Sequence, residues 1–295
     1  MRVGFVSLRM IIVTGSTGTI GQLLVQLLLS HGKDVRIMAR DPAKAKSLFG
    51  EATAIAQGDF TDDSSLERAF EGASAVFVLS SPGNVIPSND AAALKAVLAK
   101  GVARVVKMSA IGVDAPAAAN LASSRWHGPG ETALLASGRE FTILRASGFA
   151  SNALAWRDAI RAGRPIESAT GSGRHPFVDP RDVAEVAFRA LTTDALANRT
   201  LTLTGPRAMT AREQLDEIER AVGQPIASLD ISLDVFAERM RNRGLPPDGV
   251  ANAVAGQAFV RDGHSEQVFE DLPRALGRPA RSFAEWLADH AEKFR

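Results

Sequence analysis

Chemistry is most plainly legible near the start of the chain, where Thr14-Gly15-Ser16-Thr17-Gly18-Thr19-Ile20-Gly21 spaces its glycines as G-x-x-G-x-x-G. This is a variant of the dinucleotide fingerprint. A pyrophosphate needs that spacing. Gly15 permits a tight turn, Gly18 has no side chain to block the phosphates, and Gly21 lets a helix pack closely on a strand. The N-terminus of a helix beginning near residue 20 adds free N–H groups and partial positive charge. Ser16, Thr17, Thr19 and Ile20 lie in the same loop and join the expected cofactor contacts. The plain alternative is a glycine-rich turn without a ligand, against which stand the strand before it and the helix after it.

An acidic residue closing the second strand would hold a ribose 2′-hydroxyl, whereas arginine accommodates a 2′-phosphate. This chain has Ala39-Arg40 there and Lys44 a turn later. Guanidinium matches phosphate oxygens in a fork geometry. NADP(H) is therefore expected over NAD(H), with Asp41 the complication, since its carboxylate can turn towards a ribose. Asp59 and Phe60 end the third strand, where adenine rests in this fold. Asp59 either accepts from the adenine amino group or caps the helix ahead of Thr61.

His127 and Glu131 are four apart, hence on one helix face. Histidine changes charge near neutrality, so His127 can protonate a developing oxyanion with Glu131 orienting it. The pair reads equally well as a surface contact without a chemical task. No third ligand is nearby, so no metal is expected. Trp126, Phe149, Trp156 and Phe177 either wall an apolar pocket for a flat small-molecule acceptor or belong to the core. Asn152 either bonds that molecule or caps the helix after it. His175, before a proline, reads as structural. Arg239, Arg241 and Arg243 read as a solvated helix face and not as a nucleic-acid site.

The elements that must position these residues alternate. Strands are expected at 10–14, 35–39, 52–57, 75–79, 104–108 and 141–144, with helices at 20–30, 42–49, 64–70, 90–100 and 124–137. Such alternation means a parallel sheet covered on both faces, and right-handed crossovers make it doubly wound. Ligands then lie outside the carboxyl ends of the strands. Farther on, 182–191 reads as a helix and 200–203 as a strand. Capping-box spacing at Thr210/Glu213 and Ser282/Glu285 opens two more helices. Residues 244–263 are interrupted by proline and glycine and give no clear element. The expected class is α/β: a Rossmann-type doubly wound parallel sheet over 10–150, to which 175–205 returns, with a small C-terminal α+β substrate cap over 206–295.

With 295 residues, 45% hydrophobic and 23% charged, the composition is that of an ordinary globular protein. The net charge of +1 invites neither nucleic acid nor an acidic membrane surface. Without cysteine there are no disulfides, no thiol chemistry and no thiolate-bound zinc. No apolar run has the length of a membrane span, and a cytoplasmic protein is expected. Residues 1–9 precede a second methionine, Met10, and read as an upstream start or lead-in, too short for a signal peptide.

The glycine loop, together with MARDPAKA, QGDFTDDSSLERAFEG, FVLSSP, SGREFTILRASGFASN, VDPRDVAEVA and GRPARSFAEWLADHAEKF, resembles the NmrA-like group of the atypical short-chain dehydrogenase/reductase superfamily. That group includes the type-2 NAD(P)H:quinone oxidoreductases. The resemblance spans nearly all of the chain from Met10, and departs at Ala146-Ser147, where the group commonly has a proline after the arginine. It implies a nicotinamide lying against Ser80, Ser81 and Ser109. The superfamily's main branches transfer a proton with Tyr-x-x-x-Lys. This chain has no tyrosine, so that mechanism is impossible, and His127 and Glu131 fall about where the pair would stand. Two functions follow from the resemblance. One is hydride transfer from NAD(P)H to a quinone or similar small conjugated acceptor. The other is a redox sensor that binds NADP(H) without turnover and regulates a protein partner.

Overall fold

The computed structural model describes residues 10–80, 83–115, 118 and 121–295. The lead-in 1–9 and Ser81 lie outside the described residues. In chain order the elements are β1 (Ile11–Val13), α1 (Thr19–Ser30), β2 (Val35–Ala39), α2 (Pro42–Phe49), β3 (Ala54–Gln57), α3 (Asp63–Phe70) and β4 (Ala75–Val78). They continue with α4 (Ile86–Ala99), β5 (Arg104–Ala110), α5 (Ala122–Ala136), β6 (Glu140–Ala146), α6 (Arg157–Arg161), β7 (Ile166–Ser168) and α7 (Pro180–Thr192). The chain closes with β8 (Arg199–Leu203), α8 (Ala211–Val222), β9 (Ser228–Asp230), α9 (Leu233–Asn242), α10 (Pro247–Arg261), α11 (Asp271–Leu276) and α12 (Phe283–Ala288).

The central sheet has seven strands in the order β3-β2-β1-β4-β5-β6-β8, with the pairs from β3 through β5 parallel. This is the doubly wound Rossmann order, and it reverses direction between β1 and β4. The short strands can be apolar throughout because both sheet faces are covered: every residue of β1 and β4 is buried. Helix α1 meets the sheet with a stripe of Ile20, Leu24, Val25 and Leu28. Local signals set the helix starts. Asp41 and Asp62 accept from the backbone N–H groups of Lys44 and Ser65 to cap α2 and α3. Both expected capping boxes are formed, at Thr210/Glu213 and Ser282/Glu285.

Three stretches differ from expectation. Helix α4 begins at Ile86, four residues early, because Pro87 sits in its first turn, where a missing N–H breaks no intrahelical bond. Residues 244–263 hold α10, a full helix with Pro247 in its first turn. Its residues 252–261 are all half-buried, so no polar face marks the helical period. Strands β7 and β9 pair in parallel as a separate two-stranded sheet that periodicity did not reveal in three-residue segments.

The chain forms two compact units. The first takes residues 1–113, 125–145 and 183–201, and the second takes 114–124, 146–182 and 202–295. The division therefore falls elsewhere than the expected core at 10–150 and cap at 206–295. The second unit has its own core, in which Ile160, Leu215, Ile218, Trp286, Leu287 and Phe294 pack together. No helix of the described residues is long and apolar enough to cross a membrane.

Candidate active site

The glycine loop sits at the switch point. Thr14 Oγ1 donates to the Phe77 carbonyl at 3.0 Å and accepts from Leu79 N–H at 2.9 Å, which ties the end of β1 to the end of β4. Ser16 Oγ donates to the Met38 carbonyl at 3.2 Å and ties the loop to β2. Gly15 has φ +60°, and a Cβ there would fall 2.7 Å from the Leu79 carbonyl oxygen. At Gly21 a Cβ would fall 2.2 Å from the Gly15 carbonyl oxygen, so only glycine lets α1 start this close to its own loop. Gly18 is different. It is exposed, precedes α1 with no side chain capping the helix, and a Cβ there would meet only the Gly15 oxygen at 3.4 Å. An open, uncapped helix start behind a tight turn is the cradle that dinucleotide phosphates require. Of the other loop residues, Ser16 and Ile20 turn their side chains inward, Thr17 is half-buried and Thr19 is exposed.

Arg40 is exposed at the end of β2, and so is Lys44 on α2. Asp41 spends its carboxylate on the α2 cap, 3.1 Å from Lys44 N–H. Asp59 accepts from Thr61 N–H at 2.9 Å and from the Thr61 hydroxyl at 2.8 Å. Those bonds hold its carboxyl below the usual range, and Arg40's charge adds to the effect. The capping alternative for Asp59 is corrected, because Asp62 is the residue that caps α3. Half-buried Phe60 packs on the core formed by Met38, Leu66 and Ala69.

Behind the ends of β4 and β5 lies a buried polar layer. The strands pair with Val78 opposite Lys107, and Ser80 and Ser109 follow two residues later on each chain segment. Ser80 Oγ donates to Asp90 Oδ1 on α4 at 2.6 Å. Lys107 Nζ lies 2.5 Å from Asp90 Oδ2 and donates to the Met108 carbonyl at 3.0 Å. Ser109 Oγ donates to Glu131 Oε1 on α5. Arg145, at the end of β6, grips the same carboxylate through Nη2 at 2.7 Å and Nε at 3.1 and 3.2 Å. Each of Ser80, Asp90, Lys107, Ser109 and Glu131 is at most 5% exposed. Gly130 lets α5 lie over Asp90, since a Cβ there would fall 2.3 Å from Oδ2.

The expected His127–Glu131 contact is absent, because Arg145 and Ser109 already occupy the Glu131 carboxylate. His127 Nδ1 is buried with no hydrogen-bond partner. Burial, and then the charge of Lys107, pushes its pKa down to about 4. His127 is therefore neutral at pH 7, and the expected charge change near neutrality is corrected. Half-buried Trp126 lies beside Gly83, whose added Cβ would be 4.0 Å from its ring.

Asp90 and Lys107 were not singled out by sequence reasoning. A signal existed for one of them: Lys107 interrupts an apolar strand of a parallel sheet, and a buried ammonium there needs a partner.

The remaining candidates lie in the second unit. His175 Nε2 accepts from Gly148 N–H at 2.7 Å, and Nδ1 faces Ser265 Oγ at 3.0 Å. Its ring meets Phe177 edge-on at 4.9 Å. Burial pushes the His175 pKa down to about 4. Phe149 pairs with Val178 in a single β-bridge. Trp156 packs on the core of the unit. Asn152 is exposed inside the 3₁₀ turn Ala150–Trp156 and caps no helix, since Trp156 precedes α6.

Residues 15–194 match the family model described as NAD(P)H-binding. The chain is 35% identical to the (4-alkanoyl-5-oxo-2,5-dihydrofuran-3-yl)methyl phosphate reductase of Streptomyces griseus, over 97% of this chain and 99% of that one. It is 31% identical to the NAD(P)H azoreductase of Xenophilus azovorans, again over 97% and 99%. Its fold matches the NADPH complex of an NADPH-dependent quinone oxidoreductase from Escherichia coli, with a TM-score of 0.84 at 24% identity, over 95% of this chain and 99% of that one. The switch-point cradle, the sheet order and these likenesses agree, and the chain belongs to the NAD(P)H-binding family as an NAD(P)H-dependent reductase.

Proposed function

We propose that this reductase takes NADPH in preference to NADH and reduces a quinone or a similar small, conjugated, uncharged acceptor. The observation that carries the cofactor preference is the division of labour after β2. Asp41 is committed to the α2 cap, while Arg40 stands exposed beside an open phosphate cradle. Arg40, with Lys44, is assigned the 2′-phosphate. The backbone N–H groups of residues 15–21 are assigned the pyrophosphate, and Asp59 and Phe60 the adenine. Ser80, Ser81 and Ser109 are assigned the nicotinamide ring.

The bound cofactor supplies a hydride, and positioning then does most of what the protein must do. His127, neutral at pH 7, can donate a hydrogen bond towards the acceptor but is a poor source of a full proton. Glu131 holds Ser109. In the second unit, half-buried Phe149 and Phe177 offer aromatic faces for a flat molecule, and Asn152 a polar contact. Trp156 is taken up by packing. The relatives named as a (4-alkanoyl-5-oxo-2,5-dihydrofuran-3-yl)methyl phosphate reductase and an azoreductase support a conjugated acceptor, although the first acts on a phosphate ester.

Calorimetric titration of NADPH and NADH, followed by loss of reduced-nicotinamide absorbance with a series of quinones, tests the reading. NADPH should bind about 10- to 100-fold more tightly than NADH, and Arg40→Ala should erase most of that difference. Equal binding by Arg40→Ala would remove Arg40 from the cofactor site. Tight binding with no oxidation by any acceptor would favour a sensor without turnover.

A further inference from the structure

A short parallel pairing joins two segments of the second unit. Phe149 bridges Val178, the Val178 N–H donates to the Gly148 carbonyl at 2.9 Å, and the Ala150 N–H donates to the Val178 carbonyl at 2.9 Å. One more step of that pairing would aim the Gly148 N–H at the Pro176 carbonyl. That carbonyl is already taken, by Ser147 Oγ at 2.5 Å and by the Gly205 N–H at 3.0 Å. The Gly148 N–H goes instead to His175 Nε2 at 2.7 Å. An imidazole nitrogen thus does what a strand carbonyl would do.

The hydrogens around the ring leave one arrangement. Nε2 accepts from a backbone N–H and so carries no proton, which puts the proton of the neutral ring on Nδ1. Ser265 agrees. Its own proton goes to the Arg174 carbonyl at 3.0 Å, so Oγ accepts from His175 Nδ1 at 3.0 Å. On another side the ring meets Phe177 edge-on. Gly148 makes room for it, since a Cβ there would fall 2.8 Å from Nε2 and 3.4 Å from the Phe177 ring.

We propose that His175 is a positioning residue for the acceptor. Through Nε2 it sets the backbone that carries Phe149, and through its ring face it sets Phe177, so that two aromatic side chains are held for a flat molecule. The inference rests on the reductase reading above, which gives Phe149 and Phe177 to the acceptor, and adds the residue that holds them. Without the imidazole the half-buried Gly148 N–H has lost its partner, and the backbone must turn to find another. Phe149 turns with it, and the acceptor meets a looser wall. The phosphate cradle and Arg40 belong to the first unit and keep their geometry.

The test measures kcat and KM for a naphthoquinone, and NADPH affinity by calorimetry, in the wild type, His175→Leu and His175→Gln. His175→Leu fills the space and accepts nothing. Its KM for the quinone should rise at least about 10-fold, with kcat and the NADPH Kd each within about 3-fold of wild type. In His175→Gln the amide oxygen can take the place of Nε2 and accept the Gly148 N–H, so most of the KM loss should be recovered. A folded His175→Leu with wild-type KM would overturn the inference and leave the reductase reading standing. So would a loss spread equally over KM, kcat and NADPH affinity, or a glutamine variant as impaired as the leucine one.

If His175→Leu does not fold, the ¹⁵N ring signals of His175 in the wild type decide. They should show the proton on Nδ1 and a bare Nε2 at pH 7, and the Nε2 signal should shift when the naphthoquinone saturates the enzyme in the presence of oxidised cofactor. A proton on Nε2, or a signal that stays where it was at saturation, would sink the idea. NADPH binding by the wild type without oxidation by any acceptor would remove the reductase reading itself, and this inference with it.

Discussion

At the scale of single residues, the feature with the largest energetic stake is the contact between Lys107 and Asp90, where both side chains are almost wholly buried. Removing one partner of a buried pair strands the other charge, which costs about 3–5 kcal/mol, whereas replacing both with apolar groups is often close to neutral. Lys107→Met should therefore lower unfolding stability by about that amount in urea denaturation. Lys107→Met combined with Asp90→Leu should recover at least half of it. If the double variant is as unstable as the single one, the Ser80 hydroxyl left behind matters more than the charge. Legibility was uneven at this scale. Gly15 and Gly21 announced their geometry, because each tolerates an approach that a Cβ would block. Spacing also put His127 and Glu131 on one helix, but it could not show that Glu131 turns to β6, since Arg145 is 14 positions away in sequence.

At the scale of elements, the join between β1 and α1 leaves no room for a side chain. A Cβ on Gly21 would overlap the Gly15 carbonyl and the Ser16 backbone, so Gly21→Ala must push the helix start away from its own loop. Backbone lies on both sides and neither can give cheaply. The variant should bind NADPH at least about 10-fold more weakly and lose about 1–3 kcal/mol of stability, as read by calorimetry and thermal melting. Wild-type affinity would mean the loop is looser than this geometry. The alternating half of the chain was readable because each strand there is a short apolar run ended by glycine or a cap. The second half was less so. Helix α10 is half-buried along 252–261 and shows no polar stripe, and β7 and β9 are only three residues each, too short for any period.

At the scale of the whole molecule, His127 and His175 make stability depend on acid. Both pKa values fall from 6.5 to about 4. The folded chain thus binds fewer protons than the unfolded chain between those values. Stability should be full above about pH 6.5 and drain away as pH drops towards 4, by roughly 3 kcal/mol for each histidine. Urea midpoints at pH 7 and pH 4.5 measure the drop, and His175→Gln should shrink it by about 2 kcal/mol. An unchanged drop would show that His175 is already charged in the folded protein.

The interleaving of the two units bears on how the chain is made. The last segment of the first unit, 183–201, follows 146–182 of the second. Strand β8 completes the sheet order beside β6. During synthesis, β6 therefore leaves the ribosome with its outer edge unpaired, and more than fifty residues must follow before β8 can cover it. An apolar strand edge open for that long is a surface on which nascent chains stick to one another. At roughly 5–20 residues per second the exposure lasts some seconds. A chaperone that holds nascent chains has its clearest task in this protein during that interval.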